Sequence, residues 1–141
     1  MTGDPHAAAR TPVVVIADDD TDIRALVELA ARRAGATVAA SVGDGLTATA
    51  AIREHAPDLA ILDVSMPGRT GLEVCRDVRS DPALGNLRVL MLSAAVQPEA
   101  VAAGLAAGAD DYALKPFSPR TLAEKVRAML AVDSSVTAQA H

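Results

Sequence analysis

Leu59-Ala60-Ile61-Leu62-Asp63, followed closely by Met66-Pro67-Gly68, is the stretch whose reading decides the fold. A short apolar run that ends in an acid and then a Pro-Gly turn reads as a buried strand delivering a carboxylate to a loop. Two other stretches end in the same manner. Val13–Ala17 runs into Asp18-Asp19-Asp20, and Asp111–Leu114 runs into Lys115-Pro116. Parallel strands present their carboxyl ends on one side, so strands of one parallel sheet would bring these acids and the lysine to a single edge. Such a cluster suits a phosphate and a divalent cation.

Working outward, the apolar pattern alternates between short continuous runs and helical spacing, in five rounds. After the first strand, Ile23, Leu26, Val27 and Ala30 share one helix face, with Asp20 or Thr21 as cap and Gly35 as stop. A second strand spans Thr37–Val42. The turn Gly43-Asp44-Gly45 then leads to a helix over 46–55, which Pro57 ends. The third strand spans 58–62, and its loop, 65–70, precedes a helix that turns Leu72, Cys75 and Val78 inward and runs to about Arg79. Residues 87–92 form a nearly continuous apolar strand, expected to be central and buried on both faces. The next helix, 98–107, is mostly Ala, with Val101 and Leu105 as anchors and Gly104 costing about 1 kcal/mol relative to Ala. Ser118 caps a last helix that has Pro119 in its first turn and a stripe of Leu122, Val126, Met129 and Leu130.

This alternation predicts an α/β fold, flavodoxin-like and doubly wound, with a five-stranded parallel sheet in the order 2-1-3-4-5. Ligands then bind between the first and third strands, at the ends occupied by Asp18, Asp19 and Asp63. Residues 12–131 form the one expected domain, between flexible tails at 1–11 and 132–141.

The chain has 141 residues, 50% of them hydrophobic, with a net charge of -5 and no basic run, which argues against direct nucleic-acid binding. No apolar stretch nears the roughly 18 to 20 residues that span a bilayer, and no signal-peptide pattern occurs, so a cytoplasmic protein without membrane attachment is expected. Cys75, the single cysteine, cannot form an intramolecular disulfide and reads as a small buried hydrophobe. His6, His55 and His141 are too scattered to hold zinc.

Carboxylates about 4 Å apart repel by on the order of 4 kcal/mol per pair at an effective dielectric of 20, and a cation removes that penalty. An all-oxygen donor set suits Mg2+, or Mn2+, with Lys115 as a point charge toward the same phosphate and Ser93 adding a hydroxyl. Asp20 and Asp22 read instead as acids of a helix first turn. Other readings of the first acid run are weaker. As a phosphohydrolase nucleophile in a D-x-D pair, Asp18 would be followed by an uncharacteristic Asp22. A calcium loop from Asp18 would want Gly at Ile23 and Glu at Leu29. In a flavin-binding module three aspartates would repel the phosphate.

The combination Val-Ile-Ala-Asp18-Asp19-Asp20, Leu62-Asp63-Val-Ser-Met66-Pro67-Gly68-Arg-Thr-Gly71, Met-Leu-Ser93-Ala-Ala and Gly108-Ala-Asp-Asp-Tyr112-Ala-Leu-Lys115-Pro116-Phe117 resembles the receiver domain of bacterial two-component response regulators, of the single-domain, chemotaxis-regulator kind. The resemblance implies that Asp63 accepts a phosphoryl group from a sensor histidine kinase, a phosphotransfer protein or a small phosphodonor. It also implies that Asp19, Asp63 and the Ser65 carbonyl ligate Mg2+, with Asp18 acting through water or as a second ligand. Lys115 would contact the phosphoryl group, the Lys115-Pro116 bond would be cis, and Ser93 and Tyr112 would form the switch. Ser65 and Ala95 would tune the attack of water on the phosphoryl group. The domain would assist its own phosphorylation and dephosphorylation without being an enzyme. Output would pass to a protein target through the fourth helix, fifth strand and fifth helix, as a monomer or a weak phosphorylation-dependent dimer. With only residues 131–141 after Leu130, a stand-alone receiver is expected, the alternative being a receiver belonging to a longer regulator or hybrid kinase.

Overall fold

In the computed structural model, which describes residues 11–94 and 98–131, Leu59, Ala60, Ile61 and Leu62 are fully buried in the middle strand of a five-stranded sheet. The elements in chain order are β1 (Val13–Ala17), α1 (Thr21–Arg33), β2 (Thr37–Val42), α2 (Gly45–His55), β3 (Leu59–Asp63), α3 (Gly71–Arg79), a single 3-10 turn (Pro82–Leu84), β4 (Arg88–Ser93), α4 (Pro98–Ala106), β5 (Asp111–Leu114) and α5 (Pro119–Ala131). Every strand pairing is parallel, in the order β2-β1-β3-β4-β5. This is the expected doubly wound α/β arrangement.

The sheet separates two apolar layers. On one face Val14, Ile16, Ile61, Leu90 and Leu92 pack against α1 and α5 through Val27, Ala30, Leu122 and Val126. On the other, Val15, Ala60, Leu62, Val89 and Met91 pack against α2 and α3 through Ala48, Ile52, Val74 and Val78. Alternation along β1, β3 and β4 therefore buries every side chain after the first residues of β1 and β4, at roughly 1.5–3 kcal/mol for each large aliphatic group.

Helix starts follow the sequence signals. Asp20 caps α1 by accepting from the amides of Asp22 and Ile23, and Asp44 caps α2 by accepting from Thr47. Thr70 and Glu73 form a reciprocal capping box on α3. The Ser118 hydroxyl accepts from the amide of Thr121 at the start of α5.

Several expectations shift: the fourth strand runs Arg88–Ser93 instead of 87–92, and the helices expected over 46–55 and 98–107 span Gly45–His55 and Pro98–Ala106. β3 begins at Leu59 instead of Asp58, whose carboxylate accepts from the Val13 amide at 2.7 Å and closes the opposite end of the sheet. In α3 the buried face is Val74, Cys75 and Val78, with Leu72 only half-buried. In α4, Leu105 is 48% exposed and is no anchor; Gly104 is the buried residue. An almost uniform run of alanines leaves the rotation of that helix undetermined by periodicity, and the Tyr112 ring of β5 selects the glycine side: a Cβ at 104 would stand 3.0 Å from Tyr112 Cε2 and 3.2 Å from Cδ2. Ala95 and most of both expected tails lie outside the described residues.

Candidate functional site

The backbone ladder continues past the strand ends and sets the turns side by side. The Asp18 amide donates to Val42 O at 3.0 Å, Val64 to Leu92 O at 2.9 Å, and Lys115 to Ser93 O at 2.8 Å. β1, β3, β4 and β5 therefore open their following loops at nearly one level. Asp18 is fully buried, Asp63 and Ser93 are each 5% exposed, and Asp19 faces solvent.

One carboxylate oxygen each from Asp18, Asp19 and Asp63 lies within 4.8 Å of the others. At that spacing each pair of ionised groups repels by about 3 kcal/mol at an effective dielectric of 20. Lys115 relieves part of this: Nζ stands 2.9 Å from Asp18 Oδ2 and 3.3 Å from Asp63 Oδ1. Each buried acid also receives an amide from two residues on, Asp20 to Asp18 Oδ1 at 2.9 Å and Ser65 to Asp63 Oδ1 at 3.3 Å. Asp18 Oδ2 is buried and, apart from its ion pair with Lys115, has no partner among the described residues. An all-oxygen donor set of three clustered carboxylates, two of them buried and relieved by a single ammonium, fits a hard divalent cation.

Burial, then the neighbouring Asp18 charge, pushes the Asp63 pKa from 3.8 up to about 6, against the opposing pull of Lys115 and the Ser65 amide. For Lys115 burial disfavours the charge, but contact with Asp18 and Asp63 outweighs it and raises the pKa above its ordinary value. The Lys115-Pro116 peptide is cis.

The remaining expected residues divide. Ser93, one residue beyond the Asp63↔Leu92 pairing, borders the acid cluster. Ser65 is exposed in the loop after Asp63. Tyr112 pairs with Met91, two residues before Ser93, and lies toward α4 outside the cluster. The Tyr112 hydroxyl is not in water: it is buried without a hydrogen-bond partner among the described residues. Asp20 is engaged as the α1 cap. Cys75 is buried, and burial pushes its thiol pKa up, as for an inert core residue.

Two supporting residues are not apparent from strand ends. Gly71, at the start of α3, lies where a Cβ would run into the carbonyl oxygen of Asp63, and its amide donates to Val64 O at 2.9 Å. Arg24, one turn into α1, donates from Nη1 to the Asp18 carbonyl at 2.9 Å. The glycine following Met-Pro-Gly-Arg-Thr is a visible signal for the first; the second needs the tertiary fold.

The family model for the response regulator receiver domain matches residues 14–127. The chain belongs to the response regulator receiver family. Among curated relatives of this receiver, the DNA-binding response regulator MtrA of Mycobacterium tuberculosis is 39% identical over 117 residues, covering 83% of the chain and 50% of the relative. The transcriptional regulatory protein CseB of Streptomyces avermitilis is 42% identical over 123 residues, covering 87% and 50%. The receiver thus spans about half the length of these relatives. The solved chemotaxis response regulator CheY4 of Vibrio cholerae superposes with a TM-score of 0.78 at 32% identity, covering 85% of this chain and 99% of that one. A receiver domain is a signalling module of two-component systems, and its fold here is shared with the solved CheY4 structure. No helix among the described residues is long and apolar enough to cross a membrane.

Proposed function

We propose that residues 12–131 act as a phosphorylation-driven switch in which Asp63 is the phosphoacceptor. The observation that carries this reading is the convergence of Asp18, Asp19 and Asp63 with Lys115 at the ends of three strands. An oxygen of Asp63 attacks the phosphorus of a histidine-bound phosphoryl group on a kinase or phosphotransfer protein. The new O–P bond forms as the N–P bond breaks, and the histidine nitrogen takes up the leaving electron pair. Asp19, Asp63 and the Ser65 carbonyl would hold Mg2+ or Mn2+, with Asp18 as a further ligand or acting through water. Bound there, the cation would neutralise charge on the phosphoryl oxygens. Lys115 supplies a second positive charge to the same group, which makes catalysis largely electrostatic positioning by the receiver's own side chains. The same arrangement serves hydrolysis, in which water attacks the phosphorus, the bond from Asp63 oxygen to phosphorus breaks, and inorganic phosphate leaves with the Asp63 carboxylate restored.

After transfer, the Ser93 hydroxyl turns to the phosphoryl group and Tyr112 repacks beneath α4. Output passes through α4, β5 and α5, a face on which Leu105 and Leu114 are 48% and 43% exposed. The partners are a cytoplasmic histidine kinase or phosphotransfer protein and a protein target, the receiver remaining a monomer or a weak phosphorylation-dependent dimer. Incubation with Mg2+ and phosphoramidate should add about 80 Da to the intact mass. The gain should vanish in Asp63→Asn and under excess EDTA; its persistence in Asp63→Asn would reject this acceptor.

A further inference from the structure

Besides its ion pair with Lys115, Asp18 is held at its amide, its carbonyl and its other carboxylate oxygen. Its amide donates to Val42 O at 3.0 Å, its Oδ1 accepts from the Asp20 amide at 2.9 Å, and its carbonyl accepts from Arg24 Nη1 at 2.9 Å. The Arg24 guanidinium lies over Gly43, the residue that follows β2. A Cβ at position 43 would stand 3.0 Å from Arg24 Nη1 but 3.9 Å from both Asp18 O and Asp19 Cα. Gly43 does not have a positive φ, so its lack of a side chain answers to the guanidinium and not to the backbone.

From this geometry we infer that Arg24 is a positioning residue for the metal-binding turn, seated on Gly43 and acting through the Asp18 carbonyl. The inference rests on the metal reading of Asp18, Asp19 and Asp63. Fixing the Asp18 peptide from α1 fixes where the two adjacent carboxylates project, and groups that orient ligands in this manner typically affect metal affinity by 10–100-fold. A cation near a cation site also repels the metal. If Arg24 acted only through its charge, removing it would tighten Mg2+ binding; if it positions the turn, removing it weakens binding. The sign separates the two.

The test is calorimetric titration of Mg2+ into the full chain at constant ionic strength, with thermal midpoints taken separately in EDTA. Arg24→Gln should weaken Mg2+ binding about tenfold. Arg24→Lys, which keeps a donor and the charge, should recover part of the loss. Gly43→Ala displaces only the tip of a flexible side chain, so it should weaken binding with little change in the EDTA midpoint, and it serves as the test if Arg24→Gln does not fold. Mg2+ affinity unchanged or tighter in Arg24→Gln, or unchanged in Gly43→Ala, overturns the inference while leaving the metal reading intact, provided Asp19→Asn abolishes binding. A wild-type chain that takes up no Mg2+, or uptake that survives Asp19→Asn, overturns both.

Discussion

Lys115 Nζ lies between Asp18 Oδ2 and Asp63 Oδ1, at 2.9 and 3.3 Å, so a single ammonium ties the turn after β5 to the turns after β1 and β3. Without it, two buried carboxylates face each other with only backbone amides for relief.

Lys115→Met should therefore lower stability in EDTA by about 2 kcal/mol, below the 3–5 kcal/mol typical of a broken buried pair because the lysine side chain is partly exposed. Saturating Mg2+ should restore most of the loss, since the metal replaces the missing positive charge. Urea denaturation with and without Mg2+ measures both; an equal deficit in the two conditions would contradict this account.

Asp63 has a folded-state pKa of about 6 against an ordinary 3.8, so its ionised form is disfavoured in the metal-free fold. The folded state binds the extra proton between those values. This group's contribution to stability accordingly improves as pH falls through 6 and levels off below 4. In EDTA at pH 7.5, Asp63→Asn should be more stable than wild type by on the order of 2 kcal/mol. The advantage should shrink steadily toward pH 5, as paired denaturation curves would show.

Gly71→Ala should cost about 3 kcal/mol, because a Cβ there meets the Asp63 backbone carbonyl, which cannot move without disturbing β3. Folding reporters should register the loss with and without Mg2+, unlike the lysine variant.

Tyr112→Phe should leave stability unchanged or raise it by about 1 kcal/mol, since the hydroxyl is buried without a hydrogen-bond partner among the described residues. A loss above 1 kcal/mol in thermal or urea unfolding would mean that the hydroxyl is satisfied in solution.

Much of this arrangement is legible in the chain. Asp18, Asp63 and Lys115 each terminate an apolar run, and a parallel sheet needs only that fact to bring them together. Asp20 and Ser118 announce their helices through local chemistry, one turn of backbone at a time, whereas Asp44 and Thr70 read as turn and loop residues and emerge as caps only in the fold. What escaped depends on neighbours distant in sequence. Leu105 seemed an anchor because it is the larger side chain in an alanine helix, yet the ring of Tyr112 turns Gly104 to the sheet. Arg24 reads as an ordinary helix arginine until β2 places Gly43 beneath it. The close approach of Gly71 to Asp63 is likewise a product of how α3 returns to β3.

The chain has no tryptophan and one tyrosine, and that tyrosine is wedged beside Gly104 and Met91 at the proposed relay between acid cluster and output face. With excitation beyond the absorption of the one phenylalanine, emission from the unlabelled molecule thus originates at a single ring in the part expected to rearrange. The fold carries its own optical gauge, and a stopped-flow trace after adding a phosphodonor would time the repacking directly, with no dye to perturb it.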